Sequence, residues 1–339
     1  MKFNLHSLDI DAAAETARIV SALQKQVRRG MRRHGAVVGI SGGIDSSVVL
    51  ALCVRAFGPQ KVAAIMMPEK DSDPESEPLA RRLAQHYGVT PVLENITPAL
   101  AGFGCYPRRD EAIRRVFPEY DAARGYKAKI VLPQNLLETG TLNVFSVTIV
   151  TPDGRELSRP LPMQEFLQIV AASNFKQRTR MAMLYYHAEL NHYAVIGTAN
   201  KNEHDQGFFV KYGDSGVDIK AIGHLFKTQV YQLARHLDVP AEIQQRTPTS
   251  DTYSAHCTQE EFFFRLPFAT MDLLWYAQEQ NVPPREVAAV MGLSEAQVER
   301  AFDDFTRKYR TTEYLRLAPQ GIDDAKRPGP IISERPPVL

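Results

Sequence analysis

The sequence predicts an α/β protein built around a doubly wound parallel sheet. Over residues 9–97, short apolar runs alternate with segments of helical periodicity, which is the pattern of strand–helix–strand units. The run at residues 62–67 is apolar throughout, as expected of a strand that is buried on both faces of a parallel sheet. A turn rich in glycine and serine follows the run at 36–40, where sheets of this kind bind their ligands.

The secondary structure is predicted in chain order from the same patterns. A first helix covers residues 9–34, because Ile19, Leu23 and Val27 recur at helical spacing and Gly35 can end it. The other elements of the sheet and its helices are strand 36–40, helix 46–57, strand 62–67, helix 75–87, strand 91–95, helix 175–191, strand 194–197 and helix 227–238.

Residues 98–170 interrupt this alternation. Residues 105–128 are charged and predicted to be partly helical, whereas the apolar runs at 144–150 and 155–161 flank a Pro-Asp-Gly turn and predict a β-hairpin. We therefore predict a single domain over residues 1–316 with an inserted, hairpin-containing segment. The insertion is expected to be a lid over the cleft or an arm that extends a dimer contact.

The C-terminal part, residues 260–316, is predicted to be helical. Residues 283–306 read as helix, turn, helix, with Ser294 as the cap of the second helix. This pattern resembles a DNA-binding motif, but Glu295 and Glu299 are acidic where phosphates would lie, so packing between helices is the preferred interpretation. A proline-rich tail at 317–339 is expected to be extended.

The composition is that of an ordinary globular protein. The chain has 339 residues, 44% apolar and 23% charged, with a formal net charge of +1 that gives no general attraction to nucleic acid or membrane. No apolar run approaches the length of a transmembrane helix, and residues 1–4 do not read as a signal peptide. Three widely spaced cysteines argue against disulfides and zinc, so we expect a cytoplasmic protein.

Residues 39–47, with the sequence GISGGIDSS, form the strongest candidate site. Their glycines allow backbone N–H groups to converge on an anion at a helix N-terminus, and Ser41, Ser46 and Ser47 add hydroxyl groups. Asp45 implies a bridging Mg²⁺, because a carboxylate does not face phosphate unaided. The run lacks the lysine of the GxxxxGK[ST] loop and does not match GxGxxG. It therefore predicts a different type of nucleotide-phosphate site.

A second set of polar segments follows the strand at 194–197 and lies further along the chain, at 197–203, 207–218 and 248–251. Glu203 and Asp45 are suited to share one Mg²⁺, which prefers a few carboxylates together with phosphate oxygens. Lys211 and Lys227 are suited to neutralise phosphates, and Asp214 to orient a ribose or a base.

The SGGxDS run resembles the pyrophosphate loop of the N-type ATP pyrophosphatases. Together with DSDPESE at 71–77, NFKQRTRM at 174–181 and the polar segments above, it makes the chain resemble the NAD⁺ synthetases over residues 10–97 and 170–316. The resemblance implies a sheet of the adenine-nucleotide α-hydrolase-like type, ATP as co-substrate, Mg²⁺ and a homodimer.

The resemblance also implies roles for individual residues. Asp45, Lys227 and Asp214 would be catalytic, and Asp45 and Glu203 would bind Mg²⁺. Deamido-NAD⁺ would contact Asn174, Arg178, Lys211 and Asp214. ATP would contact Gly39, Ile40, Ser41, Gly42, Gly43, Ile44, Asp45, Ser46, Ser47, Thr198, Lys227 and Thr249.

The implied reaction is the ATP-dependent amidation of deamido-NAD⁺ with ammonia, through an acyl-adenylate, to NAD⁺, AMP and pyrophosphate. The 35 residues before the sheet are too few for a glutaminase domain, so free ammonia, or ammonia from a separate protein, is expected. The chain departs from the family pattern in two places. One is the long insertion, and the other is residues 310–314, where family members often carry a His-Lys pair. These departures leave an alternative open. This is a diverged amidotransferase that acts on another carboxylate, whereas a transcription factor and a nucleotide sensor are less favoured.

Overall fold

The computed structural model describes residues 2–132, 136–138, 145–249 and 252–322. Val144, Asp251 and the predicted tail beyond residue 322 lie outside these ranges. The strands within them are β1 (Ala36–Gly39), β2 (Val62–Met66), β3 (Val92–Leu93), β4 (Lys127–Val131), β5 (Ser146–Val150), β6 (Glu156–Pro160), β7 (Ala194–Gly197) and β8 (Ile219–Lys220).

Five of these strands form a parallel sheet in the order β3-β2-β1-β7-β8. The chain proceeds from β1 outward to β3 and then returns to the other side of β1, where β7 pairs with it from Ala36 opposite Ala194. The strand order therefore reverses between β1 and β7, which makes this the point of the sheet where a ligand crevice opens.

Helices cover both faces of this sheet, so the prediction of a doubly wound α/β fold is confirmed. Their bounds are α1 (Ala12–Gln24), α2 (Ile44–Phe57), α3 (Ser76–His86), α4 (Thr97–Gly102), α5 (Cys105–Val116), α6 (Met163–Asn191), α7 (Lys201–Gln206), α8 (Lys227–His236), α9 (Ala241–Gln245), α10 (Phe268–Glu279), α11 (Pro284–Met291), α12 (Glu295–Thr311) and α13 (Glu313–Arg316).

Alternate side chains of each central strand supply the two layers of the core. Val38 faces the layer of α1, α2, α3 and α8, whereas its neighbour Val37 faces α4, α5 and α6. Both side chains are fully buried, as are Ile65 and Val195 on the second face. Each such side chain contributes about 1.5–3 kcal/mol on burial, which explains why these strands are apolar throughout.

The inserted segment forms a small antiparallel sheet of its own. The predicted hairpin is present as β5 and β6, which pair through Val150 opposite Glu156, but the prediction missed β4 on the other side of β5. Ile130, Val147 and Ile149 pack against Phe117, α5 and α6 in a separate core. The hairpin is therefore supported by its own segment and the long helix, and it is not a free arm.

Two helices differ from their predicted lengths. The helix predicted at 175–191 is α6, which has 29 residues because Ile169 and Ala172 continue the buried face toward α5. The helix predicted at 9–34 is α1, which ends at Gln24 and passes into a π-helical turn over Lys25–Gly30. The predicted stop at Gly35 was therefore too late.

The C-terminal part is helical, as predicted. Residues 283–306 form α11 and α12, with the Ser294 side chain capping α12, and Val298, Ala301 and Phe305 are buried against α10. The face of α12 that carries these residues is therefore occupied by packing within the chain. Within the described ranges, no helix is both long enough and apolar enough to span a bilayer.

Candidate functional site

An open cleft of about 410 Å³ lies at the carboxyl ends of β1, β2 and β7. This is the reversal point of the strand order, so the loops after the three strands meet there. Twelve of the predicted site residues line the cleft, namely Gly39, Ile40, Ser41, Gly43, Ile44, Asp45, Ser46, Thr198, Glu203, Asp214, Lys227 and Thr249.

The loop after β1 has a backbone conformation that requires glycine at position 42. Gly42 has a φ of +73°, and a Cβ there would lie 2.7 Å from the Cβ of Leu79, so a side chain is excluded on both counts. The Ser46 and Ser47 hydroxyls donate to the Gly43 carbonyl at 3.0 and 2.8 Å. Ser47 is fully buried and does not line the cleft, which leaves Ser41 and Ser46 as the hydroxyls beside it.

Lys227 and Asp45 form an ion pair at the base of the cleft. Lys227 begins α8 and is fully buried, and its ammonium group contacts Asp45 Oδ2. The other carboxylate oxygen of Asp45 accepts a hydrogen bond from Asn200 Nδ2 at 3.0 Å. This arrangement fixes the carboxylate at the first turn of α2, directly after the glycine-rich loop.

Glu203 is the second carboxylate of this site. It occupies the first turn of α7, where Oε2 accepts from the Asn200 backbone at 3.2 Å and Oε1 accepts from Gln259 Nε2 at 3.4 Å. Burial and the nearby charge of Asp45 outweigh the effect of Lys227 and raise the pKa of Glu203 to about 8. A carboxyl group with this environment is suited to a cation, which would favour its ionised form.

Asn200 and Asn202 hold predicted site residues in place, and the sequence predictions did not assign them to the site. Asn200 is fully buried and joins Asp45 to Glu203. Its capping box with Glu203 could have been predicted from the sequence, because an Asn followed three residues later by a Glu is the pattern of such a box. The Asn202 side chain accepts from Lys227 N at 3.0 Å and donates to Asp272 at 2.6 Å. Nothing in the sequence pattern indicated Asp272, because α10 reaches the site by tertiary packing alone.

Asp214 lies at another part of the cleft wall. Its carboxylate accepts from Val210 N at 2.7 Å, and enclosure by the wall raises its pKa to about 6, although the residue remains accessible from the cleft. The aspartate is therefore held by its own loop and presented to the cleft.

The other predicted substrate residues, Asn174, Arg178 and Lys211, do not line the cleft. Arg178 is exposed, and its Nε donates to the Lys211 carbonyl at 3.4 Å. Lys211 Nζ donates in turn to the Tyr314 carbonyl at 2.9 Å. Lys211 therefore links Arg178 to the C-terminal segment that contains Tyr314.

Arg180, two residues along the same helix, does line the cleft. Its guanidinium donates to Gln177 at 2.7 Å and to the Met67 carbonyl after β2 at 3.4 Å. The motif at 174–181 contains it, but the sequence prediction named Arg178 instead, because the motif does not show which of the two arginines faces the cleft.

This fold, with a glycine-rich phosphate loop and paired carboxylates at the strand reversal, defines a class of nucleotide-binding α/β proteins. The family model described as NAD synthase matches residues 15–116 and 141–319. The chain is 48% identical over 318 residues to the NH(3)-dependent NAD(+) synthetase of Rhizobium meliloti (strain 1021), covering 94% of each. It is 35% identical over 263 residues to that of Thermotoga maritima, covering 78% of this chain and 86% of the relative. The chain belongs to the NAD synthase family.

Solved structures agree with this fold. The NH3-dependent NAD synthetase of Campylobacter jejuni superposes with a TM-score of 0.59 at 22% identity, over 92% of this chain and all of that one. The NMN synthetase of Francisella tularensis superposes with a TM-score of 0.55 at 21% identity, covering 93% of this chain and 100% of that one. The family model also matches both ends of the inserted segment, residues 98–116 and 141–170, and residues 117–140 lie between its two matched parts.

Proposed function

We propose that the protein is an ammonia-dependent NAD⁺ synthetase, which uses ATP to amidate deamido-NAD⁺. The observation that carries this proposal is the meeting of the glycine-rich loop with Asp45, Glu203 and Lys227 in one cleft of a chain that belongs to the NAD synthase family. The relatives at 48–49% identity over more than nine-tenths of the chain are NH(3)-dependent NAD(+) synthetases, which favours this reaction over amidation of another carboxylate.

The reaction forms and breaks two bonds in turn. The nicotinate carboxylate attacks the α-phosphorus of ATP and pyrophosphate leaves, and ammonia then attacks the acyl carbon and AMP leaves. The protein's task is to align the carboxylate with the phosphorus and to stabilise the charge of the departing pyrophosphate. The glycine-rich loop supplies backbone N–H groups for this purpose, and Lys227 supplies a fixed positive charge.

Asp45 and Glu203 are suited to hold Mg²⁺. Mg²⁺ is commonly bound by one or two carboxylates together with phosphate oxygens, and in the described part of the chain no third acidic, His or Cys side chain joins this pair. The raised pKa of Glu203 supports the assignment, because the local charges leave room for a cation. When bound, the metal would neutralise charge on the phosphates of ATP.

Asp214 is proposed to contact deamido-NAD⁺ from the cleft wall, with Asn174, Arg178 and Lys211 contributing from outside it.

We further propose a homodimer, which would bring such peripheral groups against a second chain. Met163 and Leu167, one turn apart at the start of α6, support it, because their exposed fractions of 69% and 57% are high for large apolar residues. A cytoplasmic location is supported by three cysteines that are all unpaired and buried.

The decisive experiment is an AMP-release assay with ATP, Mg²⁺, ammonium and deamido-NAD⁺, in which each component is omitted in turn. We expect AMP and NAD⁺ in equal amounts, and loss of both when any component is missing. ATP turnover with a different carboxylic acid but not with deamido-NAD⁺ would instead identify a diverged amidotransferase.

A further inference from the structure

A network of buried charges lies beneath the cleft wall, with Glu69 as its one member that also lines the cleft, and the reaction described above does not use it. Its members are Glu69, Asp71, Arg109, Asp110 and Lys176, which we call the Lys176 network. The side chains of Lys176 and Glu69 are fully buried, and those of Arg109 and Asp71 are 2% and 5% exposed. Such groups are stable inside a protein only when they are mutually paired.

Lys176 lies at the centre of the network. Its ammonium group donates to Glu69 Oε1 at 2.7 Å, to Asp71 Oδ2 at 2.9 Å and to the carbonyl of Thr252 at 2.9 Å. An ammonium has three N–H donors, so all of them are used. One side chain from α6 therefore joins the loop after β2 to the segment that contains Thr252.

Both joined segments line the nucleotide cleft. The loop after β2 contributes Glu69, Ser72 and Asp73, and residues 252–259 contribute Gln259, beside Thr249, which forms a β-bridge with Thr258. Lys176 itself does not line the cleft, so its hydrogen bonds reach the two walls from the side that faces away from the cleft.

A second contact joins the same two walls from the cleft side. Arg246 Nη2 donates to Asp73 Oδ2 at 2.7 Å and to Ser76 Oγ at 3.2 Å. The spacing between the walls is therefore determined at two points, by Arg246 beside the cleft and by Lys176 beneath it.

The inserted segment provides the other half of the network. Arg109 of α5 contacts Asp71 and pairs with Asp110 at 2.8 Å, and the hydroxyl of Tyr106 donates to Glu69 Oε2 at 2.8 Å. None of the described residues between 98 and 170 lines the cleft. The segment instead supports the loop after β2 from its outer side.

We propose that Lys176 is a positioning residue for ATP, because it holds the two cleft walls at the separation that the nucleotide requires. Without its ammonium group, Glu69 and Asp71 would lie buried with too little positive charge, and the loop after β2 would move toward water. The walls would then separate, and nucleotide binding would weaken. This inference rests on the proposed function in one respect only, that the nucleotide in the cleft is ATP.

The test measures binding of α,β-methylene-ATP with Mg²⁺ by calorimetry, because this analogue cannot be cleaved between its α- and β-phosphates. In Lys176→Met we expect the Kd to rise by about tenfold or more, equivalent to about 1.4 kcal/mol of binding free energy. Lys176→Arg should recover part of the affinity. In steady-state assays the KM for ATP should rise more than kcat falls.

Lys308→Met is the matched control, because Lys308 is also a buried lysine paired with an aspartate, but its ion pair lies within α12 and does not join two walls of the cleft. It should lose stability and keep the Kd within about twofold, because neither Lys308 nor Asp304 lines the cleft. If Lys176→Met does not fold, Asp71→Asn/Lys176→Met removes one charge of each sign and should show the same weakened binding.

An unchanged Kd in a folded variant that lacks the Lys176 ammonium would overturn the inference, and so would an equal loss of affinity in Lys308→Met. Binding of the analogue requires neither deamido-NAD⁺ nor ammonia. A wild-type protein that binds it but forms no NAD⁺ would therefore refute the proposed reaction and leave the role of Lys176 intact.

Discussion

Two groups of charges lie at the same cleft wall, and they differ in whether every carboxylate contacts a cation. In the Lys176 network each of the three carboxylates contacts Lys176 or Arg109, and both cations are buried. At the front of the cleft, Lys227 pairs with Asp45 while Glu203 is left with a pKa raised to about 8. The first arrangement is complete within the protein, whereas the second requires a ligand to complete it.

This difference separates residues that build the cleft from residues that act in it. A buried pair that loses one member leaves an uncompensated charge, so its loss appears mainly as instability. A partly exposed ion pair that faces a ligand can lose one member with a smaller effect on folding stability. The loss of that member therefore lowers mainly the catalytic rate. Substitutions on the two sides should therefore give opposite results.

The largest effect is expected from Asp71→Asn. The change removes a charge that contacts both Lys176 and Arg109, so the free energy of unfolding should fall by about 3–5 kcal/mol. Chemical denaturation followed by circular dichroism measures this loss, while kcat of the folded protein should change much less. A stable Asp71→Asn protein with a greatly reduced kcat would contradict the distinction between the two groups.

Asp45→Asn should produce the reverse pattern. It removes a carboxylate proposed to bind Mg²⁺ and should lower kcat by about 10²-fold or more, equivalent to roughly 2.7 kcal/mol of barrier. Stability should fall less than in Asp71→Asn, because the Asp45 side chain is 16% exposed, the amide oxygen can still accept from Asn200, and the Glu203 carboxylate remains near Lys227. Turnover near the wild-type rate at saturating Mg²⁺ would remove Asp45 from the metal site.

The two arginines of α6 allow a smaller and more specific test. Arg180 lines the cleft and Arg178 does not, so Arg180→Ala should raise the KM for ATP by about tenfold, the loss of roughly one charged hydrogen bond. Arg178→Ala should leave that value unchanged and raise the KM for deamido-NAD⁺ instead. Equal effects of both substitutions on the two KM values would show that the cleft does not separate the two substrates in this way.

The smallest effect is a pH dependence of the Lys176 network. Burial opposes ionisation of Asp71, but the charges of Lys176 and Arg109 and their hydrogen bonds outweigh it, so the pKa of Asp71 is lowered. Its stabilisation is therefore present above the ordinary aspartate pKa and is lost as the pH falls through the lowered value. The difference in unfolding free energy between wild type and Asp71→Asn should shrink on acidification below about pH 4, the unperturbed value. A difference that stays constant down to pH 2 would contradict this.

Local sequence was sufficient for the parts of the fold that local chemistry controls. The strands β1, β2 and β7 were readable because burial on both faces requires continuous apolar runs. The loop at 39–47 was readable because only glycine tolerates the backbone at Gly42. By contrast, β4 lies in a charged stretch and becomes a strand by pairing with β5, which is a contact distant in sequence.

What the sequence by itself determined about this protein is its α/β class, its phosphate loop and its family, because each depends on residues that are close together along the chain. Three features were decided by tertiary structure alone. Asn200 joins Asp45 to Glu203, and Arg180 rather than Arg178 lines the cleft. Lys176 forms hydrogen bonds to both walls of the cleft. The physical reason is that the role of a charged side chain depends on its partners and its burial. Both depend on how segments more than a hundred residues apart are packed.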